Sequence, residues 1–364
     1  LIFGLNEFAV RFMPAFLGSL TVLMVYFLVK ELFLINSTFE VRRRRNTTSE
    51  VSNRRLKDKP PRFSLIEKIS LLASFSLAIM PWHIHFSRAL LGQECVFWVV
   101  LGSWLYFLSL RKNKAYFTIL SFISFTASIF TYHAARVFVP LWILVLIAFN
   151  WGKEKKEQSL KKVLLFIFLI IIPSTLILKS IGGERTEGIS VFHPQAGVQI
   201  KLNEKIVECK DKPIWLVRIL HNKFESYIKD FAQRYFSHFN PDFLFFKGDP
   251  LRPRYRVPGV GQMFLIQAPF FLIGFYLLFH YKLWFIVVWL ILSPLPAALT
   301  FETPSSVRAI FMTIPISICI ALGFYWLFDL IKTRKKIIRI SVFYLLFFVF
   351  CLTIVYYIED YYFP

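Results

Sequence analysis

Ten separate runs of about 17–25 mostly apolar residues constrain this chain more than anything else in it, because each is the length needed to cross a hydrocarbon core. They fall at roughly 12–35, 63–81, 92–110, 115–131, 134–150, 163–181, 263–281, 283–299, 309–331 and 340–358. Hydrophobic residues make up 56% of the 364 positions and charged residues only 18%, against about 25% charged in ordinary soluble domains. A soluble core of this size cannot hide that much apolar surface, and a disordered chain would need the opposite composition. Strict alternation over ten-residue windows is absent, which argues against a transmembrane β-barrel. The expected fold is all-α: a polytopic transmembrane helix bundle of about ten spans with one large extracytoplasmic loop.

The net charge of +21 raises the question of nucleic acid. Its placement answers against it, because the basic residues sit in short connectors between apolar runs rather than on one continuous face. Lys and Arg crowd the connectors 36–62 (with the run Arg42 to Arg45), 111–114, 151–162, 282 and 332–339. The opposite short connectors hold only Arg11, Arg88, Arg136 and Arg308, the long segment 182–262 being exempt from the charge rule by its length. By the positive-inside rule the crowded side is cytoplasmic and Leu1 lies outside, with an odd number of spans expected upstream of it. The connector 36–62, with Pro60 and Pro61, is expected to be a flexible cytoplasmic linker. Cys95, Cys209, Cys319 and Cys351 are scattered and suggest neither a disulfide framework nor a zinc site.

The chain divides into an N-terminal transmembrane part (1–181), an extracytoplasmic loop (182–262) and a C-terminal transmembrane part (263–364). In the loop, Leu216, Leu220, Phe224, Tyr227, Phe231 and Tyr235 recur at steps of three and four. That spacing predicts an amphipathic helix at the membrane surface. Its opposite, polar face would carry Arg218, Lys223, Glu225, Lys229, Asp230 and Arg234. Gly248-Asp249-Pro250 and Pro258-Gly259 mark turns before re-entry.

Threaded in this way, the unusual polar residues gather on the outer side. They are Glu7 and Arg11; His83, His85, Arg88 and Glu94; Tyr132, His133 and Arg136; and Glu302 and Arg308. An ionisable group in the apolar region costs about 2.5–3.5 kcal/mol on insertion scales, so such residues point to a function. Their bland role is interfacial anchoring, with long side chains reaching for water. Together they suit a phosphorylated substrate presented at the outer leaflet. Arg offers a permanent fork of donors to phosphate oxygens, and His can carry a proton near neutral pH.

Several stretches resemble one family. Phe3-Gly-Leu-Asn-Glu-Phe-Ala-Val-Arg11, Pro81-Trp-His-Ile-His-Phe-Ser-Arg88 and Tyr132-His-Ala-Ala-Arg136 are similar to outer-face motifs of the polyprenyl-phosphate-dependent glycosyltransferases of GT-C architecture. These form glycosyltransferase family 39, with the protein mannosyltransferases and aminoarabinose transferases. His221-Asn-Lys223, Phe239 to Asp249, Val257 to Gln262 and Glu302 to Arg308 resemble a prokaryotic branch of it. The resemblance spans about Phe3 to Leu330. It implies an integral-membrane enzyme of the plasma membrane, active on the extracytoplasmic face, that moves a monosaccharide from a polyprenyl-phosphate donor to a protein, lipid or glycan acceptor.

By the same resemblance, Arg88, His133, Arg136 and Arg308 would bind the donor phosphate. Loop contacts could come from His221, Lys223, Asp249, Arg254 and Arg256. The general-base Asp is expected upstream of Leu1, with Glu94 and Glu302 as the candidates within this chain. No cofactor is implied firmly; a divalent cation has no support in the sequence. A transporter or lipid flippase is the alternative from another class, and a truncated, non-catalytic relative is a third reading. A transporter would place ionisable or helix-breaking residues at mid-span and repeat one half in the other.

Overall fold

The computed structural model describes residues 7–47, 63–88, 92–151, 163–165, 204, 223–300 and 302–362. Among these the regular structure is helical, with no strand and a single isolated bridge between Val257 and Val260. The helices are α1 (Glu7–Thr47), α2 (Phe63–Ala78), α3 (Pro81–Arg88), α4 (Gln93–Lys112), α5 (Ala115–Thr131), α6 (Ala135–Asn150), α7 (Lys223–Ser237), α8 (Ala268–His280), α9 (Trp284–Leu292), α10 (Leu295–Ala298), α11 (Thr313–Ile331) and α12 (Lys336–Tyr362).

Among the described residues, four helical segments are long and apolar enough to cross a membrane: Arg11–Ile35, Gln93–Lys112, Ile310–Ile331 and Lys336–Tyr361. A fifth results if α2 and α3, bent by 58° at their junction, count as one span. Shorter apolar helices cover Ala115–Thr131, Ala135–Asn150, Leu265–His280 and Trp284–Ala298. This is the composition of a membrane helix bundle. The expected segment 163–181 lies outside the described residues apart from 163–165.

Proline sets several of the boundaries. Pro81 opens α3, where its missing N–H has no helical partner to lose, and the chain turns there instead of ending its run as one straight span. Pro294 and Pro296 split the expected run 283–299 into α9 and the short α10. One boundary departs from expectation in the other direction. The backbone of α1 continues as helix to Thr47, through the Arg42–Arg45 run that was expected to belong to a flexible linker. No Gly or Pro interrupts 36–47, so nothing in the local sequence stops the helix.

The helices pack in a row of neighbours, α5 against α4, α4 against α1, α1 against α2, α2 against α11 and α11 against α8. Backbone contact at α8 and α11 is unusually close. A Cβ built on Gly274 would lie 1.7 Å from the Cys319 carbonyl oxygen, and one on Gly323 would lie 2.1 Å from that of Phe270. In lipid, where apolar surface gives no drive for helices to associate, such small-residue contacts allow the dispersion that holds them together.

α11 is the central helix, buried continuously from Thr313 to Phe324, whereas α12 lies at the periphery with mostly exposed side chains. Between α6, α9 and the start of α11, Phe138 stacks on Phe311 at 4.2 Å and Trp142 packs against Trp289 at 4.3 Å. Their indoles are satisfied as burial requires: Trp142 Nε1 donates to Ser103 Oγ and Trp289 Nε1 to the Phe311 carbonyl. At the basic end of the bundle, Lys30 pairs with Glu67 at 3.3 Å and Arg111 with the buried Glu31, tying α1 to α2 and α4.

Candidate functional site

The end of the bundle opposite those ion pairs is where the sequence gathers its unusual polar residues. Three stretches meet there: α3, the segment 238–264 after α7, and residues 302–309 before α11. Trp82 stitches all three, its backbone N–H donating to the Gln262 carbonyl at 3.1 Å and its indole to the Ser306 carbonyl at 3.0 Å. His85 Nε2 donates to the Arg254 carbonyl at 2.8 Å.

Asp249 organises the second and third stretches. Gly248 supplies the left-handed backbone (φ 66°) that the turn needs. The Asp249 side chain then closes an Asx-type turn, Oδ1 accepting from the N–H groups of Leu251 (3.0 Å) and Arg252 (3.3 Å). Its Oδ2 accepts from both the N–H and the hydroxyl of Ser306 at 2.9 Å. The carboxylate is fully buried. Asp249, expected as a loop contact for a ligand, ties the 250s loop to Ser306 in the loop before α11.

That tie carries Arg252 to Glu302. Arg252 Nη2 donates to Glu302 Oε1 at 2.7 Å, and Arg308 Nη2 donates to Glu302 Oε2 at 2.8 Å. Arg308 also donates through Nη1 to Thr300 Oγ1 (3.1 Å) and the Glu302 carbonyl (3.0 Å). Its side chain is 10% exposed, and its Nε is buried without a hydrogen-bond partner among the described residues. Partial burial pushes the Glu302 carboxyl up, but the hydrogen bonds from Arg308 and Arg252 outweigh this and hold it below its ordinary value. The same bond raises Arg252. Two guanidiniums on one carboxylate give the triad itself one net positive charge.

Around this triad stand aromatic rings. The Tyr255 ring has the guanidinium of Arg254 at 4.9 Å and that of Arg252 at 5.9 Å. Tyr132 lies within electrostatic reach of both Arg308 and Arg252; burial pushes its phenol up, and the nearby Arg308 charge opposes that. His133 packs its ring on Tyr132 at 4.1 Å. Arg136 follows one turn later, its N–H donating to the His133 carbonyl at 3.1 Å, and its Nε is buried without a hydrogen-bond partner among the described residues.

Arg88 belongs to a neighbouring group. Its guanidinium lies 4.9 Å over the ring of Tyr361, at the end of α12, and His85 touches the same ring edge-on at 5.5 Å. The two groups are joined through Arg254 and Tyr255, whose ring meets Phe86 at 5.9 Å. Glu94 sits half-buried in the first turn of α4, a favourable place for an acid at a helix N-terminus. Its neighbour Gln93 approaches His83 Nδ1 at 3.2 Å. Arg256 is half-buried beside Gly248, in a crevice it shares with Trp82, His85 and Tyr357. Lys223 begins α7, and His221 lies outside the described residues. Among the described residues no three His, Cys, Asp or Glu side chains group as a metal site would require.

α7 is the helix expected in the loop, described over Lys223–Ser237, and two residues of its expected polar face turn inward. Asp230 and Arg234, assigned to the polar face, are an ion pair only 10% and 11% exposed, and Arg234 donates to the Thr300 carbonyl at 3.2 Å. On the expected apolar face, Phe224 is 72% exposed, while Tyr227, Phe231 and Tyr235 are half-buried. The inward turn of a charged pair is stable because each charge is neutralised by its i, i+4 partner and the leftover donor meets a carbonyl. His238 directly follows the helix and is buried between two fixed partners. Its Nδ1–H donates to the Arg234 carbonyl at 3.0 Å, and its Nε2 accepts from the Ser305 N–H at 3.2 Å. Burial lowers its pKa to about 4, against the raising influence of the Tyr235 and Arg234 carbonyls.

Arg252 and His238 are the site residues that sequence reasoning missed. Arg252 was visible only as one of three arginines in Arg252-Pro-Arg-Tyr-Arg256, and nothing local separates it from the other two. His238 carries no sequence signal for burial. Neither a family model nor a curated protein sequence matches the chain.

Proposed function

We propose that this protein is an integral-membrane glycosyltransferase of about ten spans, with its basic connectors in the cytoplasm and its site on the extracytoplasmic side. It transfers a monosaccharide from a polyprenyl-phosphate donor to an acceptor hydroxyl. The observation that carries this reading is the Arg252–Glu302–Arg308 triad at the end of an apolar bundle. A net positive charge built from planar guanidiniums at that depth matches a lipid-borne phosphate. The likeness of the outer motifs to glycosyltransferase family 39 supports the same reading.

In this reaction the bond between the sugar anomeric carbon and the phosphate oxygen breaks as the acceptor oxygen bonds to that carbon, and the acceptor proton passes to a base. Charge collects on the departing lipid phosphate, where Arg308 and Arg252 stabilise it electrostatically. Glu302 is a poor base, because two guanidiniums hold it ionised with its lone pairs engaged; its role is to aim them. That leaves Glu94 as the candidate base within this chain.

The test is binding of a radiolabelled polyprenyl phosphate to the purified protein. Arg308→Lys keeps the charge but loses the fork, and should weaken binding by about tenfold or more. Undiminished binding in that variant, or no binding by the unaltered protein, overturns the proposal.

A further inference from the structure

Far from this site, α2, α11 and α12 leave a groove between them. Phe75 of α2, Leu327 and Ile331 of α11, and Phe343, Leu346 and Phe347 of α12 line a cavity of about 240 Å³ with no polar side chain in its wall. Ile331 is followed directly by Lys332, and Phe343 comes one helical turn after Arg339, so the groove opens onto the turn that joins α11 to α12. That turn is strongly basic. Lys332, Arg334, Lys335, Lys336 and Arg339 are all exposed. Lys332 is engaged by Asp329 at 2.9 Å. Arg334, Lys335, Lys336 and Arg339 form no ion pair among the described residues.

We propose that this groove and its basic rim form a binding site for one anionic glycerophospholipid of the surrounding bilayer. An acyl chain lies in the groove, and the headgroup phosphate meets the cations of residues 334–339. The two halves of the site match the two halves of the ligand, and their order along the membrane normal is the order in a lipid. A hydrocarbon slot with no hydrogen-bonding group suits a chain and no polar ligand, while clustered Lys and Arg at a helix turn attract anionic headgroups. A second copy of this chain is a poorer occupant. Helices pack closely in membranes through small residues, and the groove face of α12 presents Phe343, Leu346, Phe347 and Phe350 with a hollow between them.

The experiment uses the whole chain reconstituted with equal phosphatidylglycerol and phosphatidylcholine, released into the gas phase, and weighed with whatever lipid it retains. The unaltered protein should retain one phosphatidylglycerol in preference to phosphatidylcholine by about tenfold or more. Replacing the rim by Arg334→Gln, Lys335→Gln, Lys336→Gln and Arg339→Gln together should abolish that preference. Leu346→Trp, which fills the groove, should reduce retention of both lipids. Release from the bilayer in about 1 M salt, where charge attraction is screened within about 3 Å, should erase the preference in the unaltered protein and so tests the rim without any substitution. Equal retention of the two lipids, a preference that survives salt, or a lipid-free dimer overturns the proposal.

Discussion

Arg308 and Glu302 are bound to each other twice, through Nη2 to Oε2 at 2.8 Å and through Nη1 to the Glu302 carbonyl at 3.0 Å. The short loop between them therefore closes on itself at the foot of α11. The second carboxylate oxygen remains open to a partner from elsewhere, and Arg252 takes it, which locks the 250s loop to the same point.

Removal of Glu302 should therefore cost more than removal of either arginine. Glu302→Ala strands the nearly buried Arg308, an uncompensated charge that should cost about 3 kcal/mol. Arg308→Ala leaves Glu302 paired with the more exposed Arg252 and should cost less. Thermal unfolding of the variants in one detergent checks the order; equal midpoints for Glu302→Ala and the unaltered protein would refute it.

His238 should make stability fall in acid. Its folded pKa of about 4 lies below the ordinary 6.5, so the unfolded state binds the proton more readily between those values. Stability from this group is complete above about pH 6.5 and is lost as pH falls toward 4, by on the order of 3 kcal/mol in all. Glu302, also depressed, acts lower, its contribution present above its ordinary value of 4.5 and lost as pH falls further. His238→Asn should flatten the melting midpoint between pH 6.5 and 4.5; an unchanged slope would show that another group is responsible.

Gly274→Ala and Gly323→Ala should each destabilise, the reverse of the gain of about 1 kcal/mol that Gly to Ala brings in an open helix. The added methyl meets a backbone carbonyl of the facing helix, so α8 and α11 must separate. A lowered melting midpoint and a loss of monodisperse protein are expected. A stabilised variant would mean that the two helices are not in backbone contact.

The basic connectors should face the cytoplasm. Single cysteines replacing Arg45 or Lys155 should react with a membrane-impermeant thiol reagent only after lysis, and those replacing Lys247 or Pro258 should react in intact cells. Labelling at position 45 in intact cells would invert the arrangement.

The apolar runs by themselves determined that the chain is helical and where nine of its helical regions fall among the described residues, since a run of that length in lipid must satisfy its backbone internally. The breaks at Pro81 and Pro294 have an equally local cause, although 63–81 and 283–299 each read as one unbroken run. Contacts between distant segments were decided by tertiary structure. The periodicity of 216–235 predicts a helix, but which way Asp230 and Arg234 point depended on a carbonyl at Thr300, a stretch the pattern cannot see. Glu302 and Arg308 are near in sequence, six residues apart; Arg252 reaches them only because Asp249 folds its turn onto Ser306. Local patterns register free energies that accrue within a few residues. A shared carboxylate, or a histidine held between two backbones, exists only once packing has removed water and left each polar group a single partner.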